Sequence, residues 1–224
     1  MTTSIATWAN TQSEEDLMND DHAPLWRNII HKMKETDLQN KTVLDFGCNQ
    51  GGFLRMLYQL RPFKQGVGMD IATQSLETAE KLRFGMPVTF CNAGDIQSYT
   101  NQFDLAFSHE VIYLLPDLDE HARHIYETLK EGGVYYATTG CYTDMPLWEK
   151  WHDIISAYSN IAVPNHSLDD YLNAFAKAGF KVSAQRFQLD DFIPIKTERS
   201  YFPNEVKDRL DFFNDYKVIF RLQR

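Results

Sequence analysis

Acidic residues stand at the ends of short apolar runs in this chain. Asp45 follows Val43-Leu44 and precedes a glycine-rich turn containing Gly47, Asn49, Gly51 and Gly52. Asp70 closes "GVGMD", Asp95 closes "CNAGD", and Glu110 closes "FDLAFSHE". A carboxylate at the end of the second of two strands can accept hydrogen bonds from both hydroxyls of an adenosine ribose. Charge-assisted bonds of that kind contribute on the order of 1.5–3 kcal/mol each. Asp95 can likewise accept from an adenine amino group. The turn departs from the dinucleotide fingerprint G-x-G-x-x-G, which needs Gly47, a glycine at position 49, and Gly52. Asn is the non-glycine residue that best tolerates a left-handed backbone, so the turn can survive Asn49. Asp45 discriminates further. Two residues before the turn, it repels a pyrophosphate and favours a ligand carrying an ammonium group.

NAD and S-adenosylmethionine both contain the ribose that Asp70 suits, so Asp70 does not choose between them. Ser108, His109 and Glu110 fall where a fourth strand delivers side chains to the same edge. His109 or Glu110 is expected to touch cofactor or acceptor, and His109 has the ordinary pKa of a general base. Three other constellations compete. Tyr126 and Lys130 have Y-x-x-x-K spacing, as in short-chain dehydrogenases, without the dehydrogenases' glycine motif. His121 and His124, near Asp117 and Asp119, could share a metal, but a solvated, acid-capped helix accounts for them and no metal is expected. His152 and Asp153 are adjacent on a helix and point apart. Trp148, Trp151 and Tyr158 share one helix face, a pattern more often core than ligand wall; Trp8 stands alone in a polar arm, where it is expected to close over the cofactor.

The frame that positions these groups is an alternation. "KTVLDFG", "QGVGMD", "MPVTFCNAGD", "QFDLAFSHE" and "VYYATTG" read as strands, separated by helical stretches such as "GGFLRMLYQL" and "SLETAEKLRF". Strands alternating with helices imply a mostly parallel sheet covered on both faces. "DLDEHARHIYETLKEGG" reads as a helix stopped by its glycines. Residues 1–20 read as a loose arm or short helix, and a helix is expected from Asp21, with Pro24 in its first turn. After Gly140 come an aromatic-rich helix, a helix capped by Ser167 and stopped by Gly179, a strand "KVSAQRFQ", a helix around Glu205–Phe213 and a last strand "KVIFRLQR".

The chain has 224 residues, 43% hydrophobic and 24% charged, with a formal net charge of -9. It is long enough for one sizeable core. The acidic balance and scattered basic residues argue against nucleic-acid or membrane-surface partners. No apolar run approaches the roughly 18 residues of a membrane span, and the first residues lack the pattern of a secretory signal. Three isolated cysteines suit free thiols in a reducing cytoplasm.

In order and spacing, "VLDFGCNQGG", "GVGMD", "NAGDI", "FDLAFSHEVIYLLPD" and "LKEGGVYYATTG" resemble the class I S-adenosylmethionine-dependent methyltransferases. The resemblance runs from about Lys41 to Val182. It implies a Rossmann-like α/β fold with a seven-stranded sheet of order 3-2-1-4-5-7-6, its last strand antiparallel. Residues 1–40 would then be an N-terminal arm and helix, and 41–224 the methyltransferase domain with a substrate-lid insertion at about 141–166. The resemblance places Asp45 and Gly47 along the methionine end of S-adenosylmethionine, and Asn49, Gly51 and Ser108 are expected to be cofactor-binding as well. It places Asp70 on the ribose, Ile71 on the adenine face, and Asp95 with the Ile96 backbone at the adenine edge. Trp8, Tyr113, Trp148 and Trp151 become walls of the acceptor pocket, and His109 and Glu110 the catalytic candidates. The expected reaction is in-line methyl displacement to an oxygen or nitrogen of a small soluble acceptor by a monomer or homodimer, with S-adenosylhomocysteine as product. The chain lacks the N/D-P-P-Y/F motif of enzymes that methylate adenine or glutamine nitrogen. A tRNA or protein methyltransferase, an NAD(P)-dependent oxidoreductase and a non-catalytic scaffold are the alternatives.

Overall fold

The computed structural model describes residues 4–193, 195 and 205–224. Its centre is a seven-stranded sheet of order β3-β2-β1-β4-β5-β7-β6. The strands are β1 (Thr42–Phe46), β2 (Gln65–Asp70), β3 (Val88–Asn92), β4 (Phe103–His109), β5 (Leu129–Thr139), β6 (Lys181–Arg186) and β7 (Val218–Gln223). The first five are parallel, and β7 pairs antiparallel with both β5 and β6. The helices are α1 (Gln12–Lys32), α2 (Gly52–Leu60), α3 (Thr73–Lys81), α4 (Leu118–Thr128), α5 (Trp148–Tyr158), α6 (Leu168–Ala178) and α7 (Val206–Asp211). None of them is long and apolar enough to cross a membrane.

Period-2 alternation divides the core. Leu44, Ala106, Tyr135 and Phe220 pack on one face with Ile125 of α4 and Phe175 of α6. Val43, Leu105, Phe107 and Ile219 pack on the other with Ile29 of α1 and Phe53 and Leu57 of α2. Strand order reverses between β1 and β4, and Asp45 pairs with Gly68 on one side and Phe107 on the other. Ligands of such sheets bind at this switch, beyond the carboxyl ends of the strands. Because β7 is antiparallel, its start, preceded by Lys217, comes to the same edge.

Several boundaries differ from the sequence reading. Helix α1 begins at Gln12 rather than near Asp21, so Pro24 lies inside it rather than in its first turn. The cause is a capping box: the Thr11 side chain accepts from the Glu14 N–H while the Glu14 carboxylate accepts from the Thr11 N–H. Residues 4–10 are not loose; they are bridged to both sides of the cleft. Helix α4 stops at Thr128, before the glycines, and β5 begins at Leu129, opposite Phe103. Strand β3 stops at Asn92, whose side chain accepts from the Gly94 N–H and opens a 3-10 turn, Ala93–Ser98. The last helix is shorter than expected and continues as a π turn over Phe212–Tyr216.

Candidate functional site

The turn after β1 is held by backbone geometry. Gly47 has φ 79°, and a Cβ there would lie 2.3 Å from Val111 Cγ2. The N–H groups of Gly47 and Cys48 both donate to the Met69 carbonyl, at 2.7 and 3.0 Å. Asn49 has φ 46°, in the left-handed region that asparagine tolerates. Its N–H donates to Asp70 Oδ2 at 2.8 Å, its Oδ1 accepts from the Gln50 N–H, and its Nδ2 donates to Glu15 Oε2 at 2.6 Å. Asn49 therefore does what a glycine could not: it ties the turn to α1. Gly51, also left-handed, caps α2.

Asp70 is the hub of the next group of contacts. Besides the bond from Asn49, its Oδ1 accepts from the Ala72 N–H at 2.9 Å. Burial raises its pKa, opposed by these backbone bonds. Asp45 is 1% exposed, with Oδ2 unpartnered. Burial first, and then the charge of Asp70, push its pKa well above the carboxylate range. Asp45 and Asp70 thus set two acidic side chains side by side at the turn. Ile71 is half-buried next to Asp70; Asp95 is exposed in the 3-10 turn with Ile96 buried behind it.

At the end of β4, Ser108 is fully buried and donates its hydroxyl to the Phe46 carbonyl, joining β4 to β1. His109 lies between Phe53, at 4.0 Å between ring centroids, and Phe107, at 6.2 Å. Both its ring nitrogens are buried without a partner, and burial lowers its pKa to about 3. Among the described residues no carboxylate bonds the ring, and burial favours its neutral form. Glu110, at φ 56°, gives its Oε1 to Lys217 Nζ at 2.6 Å and accepts from Thr138 Oγ1 and the Gly140 N–H. Lys217 is 2% exposed and lies over the rings of Phe187, Phe212 and Phe213 at 5.2–6.0 Å. Glu110 is thus an anchor for a buried ion pair and not a free carboxylate.

Tyr113 is buried, and burial followed by the Cys141 and Glu110 charges raises its pKa. Trp151 is half-buried, donates to Cys141 Sγ and packs against Phe212. Trp148, the first residue of α5, is buried and donates to Asn165 Oδ1 at 2.8 Å. Trp8 packs 6.0 Å from Tyr158, with its Nε1 buried and unpartnered. The remaining candidates separate. His121 bonds Tyr135 and His124 bonds Gln97, and among the described residues no group of three His, Cys, Asp or Glu could hold a metal. Lys130 binds Asp104 at the amino ends of the strands, away from the cleft. His152 bonds the Val163 carbonyl. Sequence reasoning missed Glu15, Asn160 and Lys217. Only Glu15 left a signal, the "TQSE" capping box in the supposed arm.

Comparison with known proteins follows this geometry. The sequence profile of the methyltransferase-domain family matches residues 18–185. A malonyl-[acyl-carrier protein] O-methyltransferase of Legionella pneumophila is 28% identical over 151 residues, covering 65% of this chain and 53% of that protein. A trans-aconitate 2-methyltransferase of Deinococcus radiodurans is 32% identical over 92 residues, covering 41% and 35%. The chain thus matches about half the length of the first and about a third of the second. A chain in the solved complex of the Haloferax volcanii Trm112 methyltransferase activator with a methyltransferase superposes with a TM-score of 0.79 at 22% identity, covering 95% of this chain and 94% of that one. The family match spans most of the sheet and the turn that Asn49 ties down, and with it the protein belongs to the class I S-adenosylmethionine-dependent methyltransferases.

Proposed function

We propose that this methyltransferase transfers its methyl group to a carboxylate oxygen of a small soluble acid. The observation that carries the reading is the state of His109. It is the one histidine at the end of β4, buried between two phenylalanines, without a carboxylate partner and with a pKa near 3. An imidazole in that condition takes no proton from an alcohol or phenol at neutral pH. Glu110 is committed to Lys217. The acceptor atom must therefore arrive without a proton to lose, and a carboxylate does so at any pH above its ordinary value near 4. The acceptors named for the two curated relatives, a malonyl group and trans-aconitate, are carboxylic acids, which supports the choice.

The residues present fit the cofactor. The orphaned Oδ2 of buried Asp45, beside Asp70, suits a positively charged ligand. Asp45, Gly47, Asn49 and Gly51 would hold its amino-acid end, Asp70 its ribose, and Ile71, Asp95 and Ile96 its adenine. When bound, S-adenosylmethionine supplies an electrophilic methyl and a neutral thioether leaving group. The chain's own task is alignment, which can supply roughly 7–11 kcal/mol. Ser108 fixes the ends of β1 and β4 relative to one another, and the Glu110–Lys217 pair fixes the ends of β4, β5 and β7. Trp8, Tyr113 and Trp151 wall the acceptor, with Trp148 holding the insertion from behind.

The product decides the matter. Labelled methyl from S-adenosylmethionine, transferred during a screen of soluble carboxylic acids, is expected to be released as methanol by mild alkali, as only an ester methyl is. An alkali-stable methyl would refute carboxylate methylation. Because the Haloferax neighbour was solved with an activator protein, the screen is run with and without a Trm112-type activator.

A further inference from the structure

The segment before α1 crosses the cleft from one wall to the other. At its first end Ile5 forms a parallel bridge with Ala72, its N–H donating to the Ile71 carbonyl at 3.1 Å while its own carbonyl accepts from Thr73 N–H at 2.9 Å. Asn92 Nδ2 donates to Ser4 Oγ, and the Gln74 N–H to the Ala6 carbonyl. At its other end Ala9 bridges antiparallel to Ser159, and Asn160 Nδ2 donates to the carbonyls of Thr7 and Ala9, both at 3.0 Å. The segment thus joins the loop after β2, which begins with Ile71 next to Asp70, to the far end of α5. Between these anchors it is held by one side chain. Glu15 is fully buried, and its Oε1 accepts from the N–H groups of both Trp8 and Ala9 while its Oε2 accepts from Asn49 Nδ2.

We propose that Glu15 is a positioning residue: it latches the strap of residues 4–10 over the cofactor cleft and so governs how fast S-adenosylhomocysteine leaves. The inference rests on the placement of the cofactor above Asp45 and Asp70. One carboxylate bonds the strap through two backbone donors and the glycine turn through a third, so turn and strap are ordered together. A ligand that occupies the turn is covered by Trp8 on the same action. Exchange of product for fresh cofactor requires these bonds to open, and a carboxylate buried with three donors makes opening slow. The neighbouring Asp16 is exposed and accepts from the Gln50 side chain.

The test measures the dissociation rate of S-adenosylhomocysteine by stopped-flow displacement in four proteins: wild type, Glu15→Gln, a deletion of residues 2–9, and both changes together. Glu15→Gln and the deletion are each expected to speed dissociation about tenfold or more. The combined protein is expected to be no faster than the deletion alone, because the latch has nothing left to hold. Asn160→Ala, at an exposed position that leaves the core intact, is expected to speed dissociation as well. An unchanged rate in Glu15→Gln protein that still binds the ligand would overturn the latch. Additive effects in the combined protein would overturn it too, since Glu15 would then act on Asn49 alone. Wild-type protein that binds no S-adenosylhomocysteine would overturn the cofactor placement, and the latch with it.

Discussion

Replacing Asp70 by Asn changes one oxygen to an amide nitrogen and leaves the size of the side chain alone. An ionised carboxylate offers about four acceptor positions. Two are taken, by the N–H groups of Asn49 at 2.8 Å and Ala72 at 2.9 Å. Two remain for the hydroxyls of a bound ribose. In Asp70→Asn one of the two backbone donors faces an NH2 group instead of an acceptor, a loss of about 1–3 kcal/mol in stability. On the ligand side one charge-assisted bond disappears, while the other hydroxyl can turn to accept from the new amide. The expected loss of affinity is about 2 kcal/mol, or roughly 30-fold in Kd. Calorimetric titration separates the two effects when S-adenosylhomocysteine is compared with its 2′,3′-dideoxyribose analogue. If Asp70 grips the sugar, the substitution weakens the natural ligand roughly 30-fold and the analogue hardly at all. Equal penalties for both ligands would refute the reasoning: Asp70 would then serve only to shape the turn.

With a carboxylic acid as acceptor, kcat/KM should be flat between about pH 6 and 9 and fall only below about pH 5, as the acceptor itself protonates; an ionisation near pH 6.5 would reinstate His109 as base. Lys217→Met should cost about 3–5 kcal/mol in urea unfolding, because it strands Glu110 in a buried site, and adding Glu110→Gln should recover part of the loss. A single variant as stable as the double would mean the pair is not coupled. Asp104, although raised by burial, is brought down to a pKa of about 2 by bonds from Lys130 and Thr42. A depressed carboxylate stabilises the fold above its unfolded value near 4 and loses that contribution as pH falls toward 2. Since its lysine partners are 40% and 45% exposed, the contribution is discounted to about 1–2 kcal/mol. Asp104→Asn should therefore be less stable than wild type at pH 7, with the gap reduced to about a third by pH 2.5, and a gap independent of pH would exclude the mechanism.

The sheet was legible because its signals are local. Val43-Leu44 and Leu105-Ala106-Phe107 are apolar runs bounded by turns, and Asp70 marks the end of β2 in the chain itself. The Ser167 cap and the Gly179 stop of α6 are of the same kind. What escaped depends on residues far apart. The β5 start at Leu129 is set by pairing with Phe103, and this overrides glycines that locally read as a helix stop. Lys217 reads as a surface lysine until Glu110 and three phenylalanine rings, from separate segments, are placed around it. His109 has the composition of a base, but a base is defined by its surroundings, and the closest ring there is Phe53 of α2, from a distant segment, with Phe107 two residues earlier on β4 beside it. The start of α1 is the exception. Its capping box was in the sequence, masked by the polar, acid-rich composition around it.

Asn49 connects these observations. A glycine in that position lets a backbone come close to a ligand, and the turn's shape is then determined by the backbone alone. Here the left-handed conformation is kept by a residue that costs more to place there, and its side chain contributes contacts glycine lacks: one to the next peptide, and one to a carboxylate 34 positions earlier in the chain. The neighbouring Gln50 repeats the arrangement with Asp16. The first turn of α1 thus meets the glycine turn with two acids against two amides, neutral donors that leave the local charge negative. A lysine or arginine in either position would bind α1 more strongly, but would set a positive charge next to Asp45 and Asp70, the residues proposed to hold the cationic cofactor. Amides fasten the strap without that repulsion, so the departure at position 49 follows from the same electrostatics as the two acids that flank it.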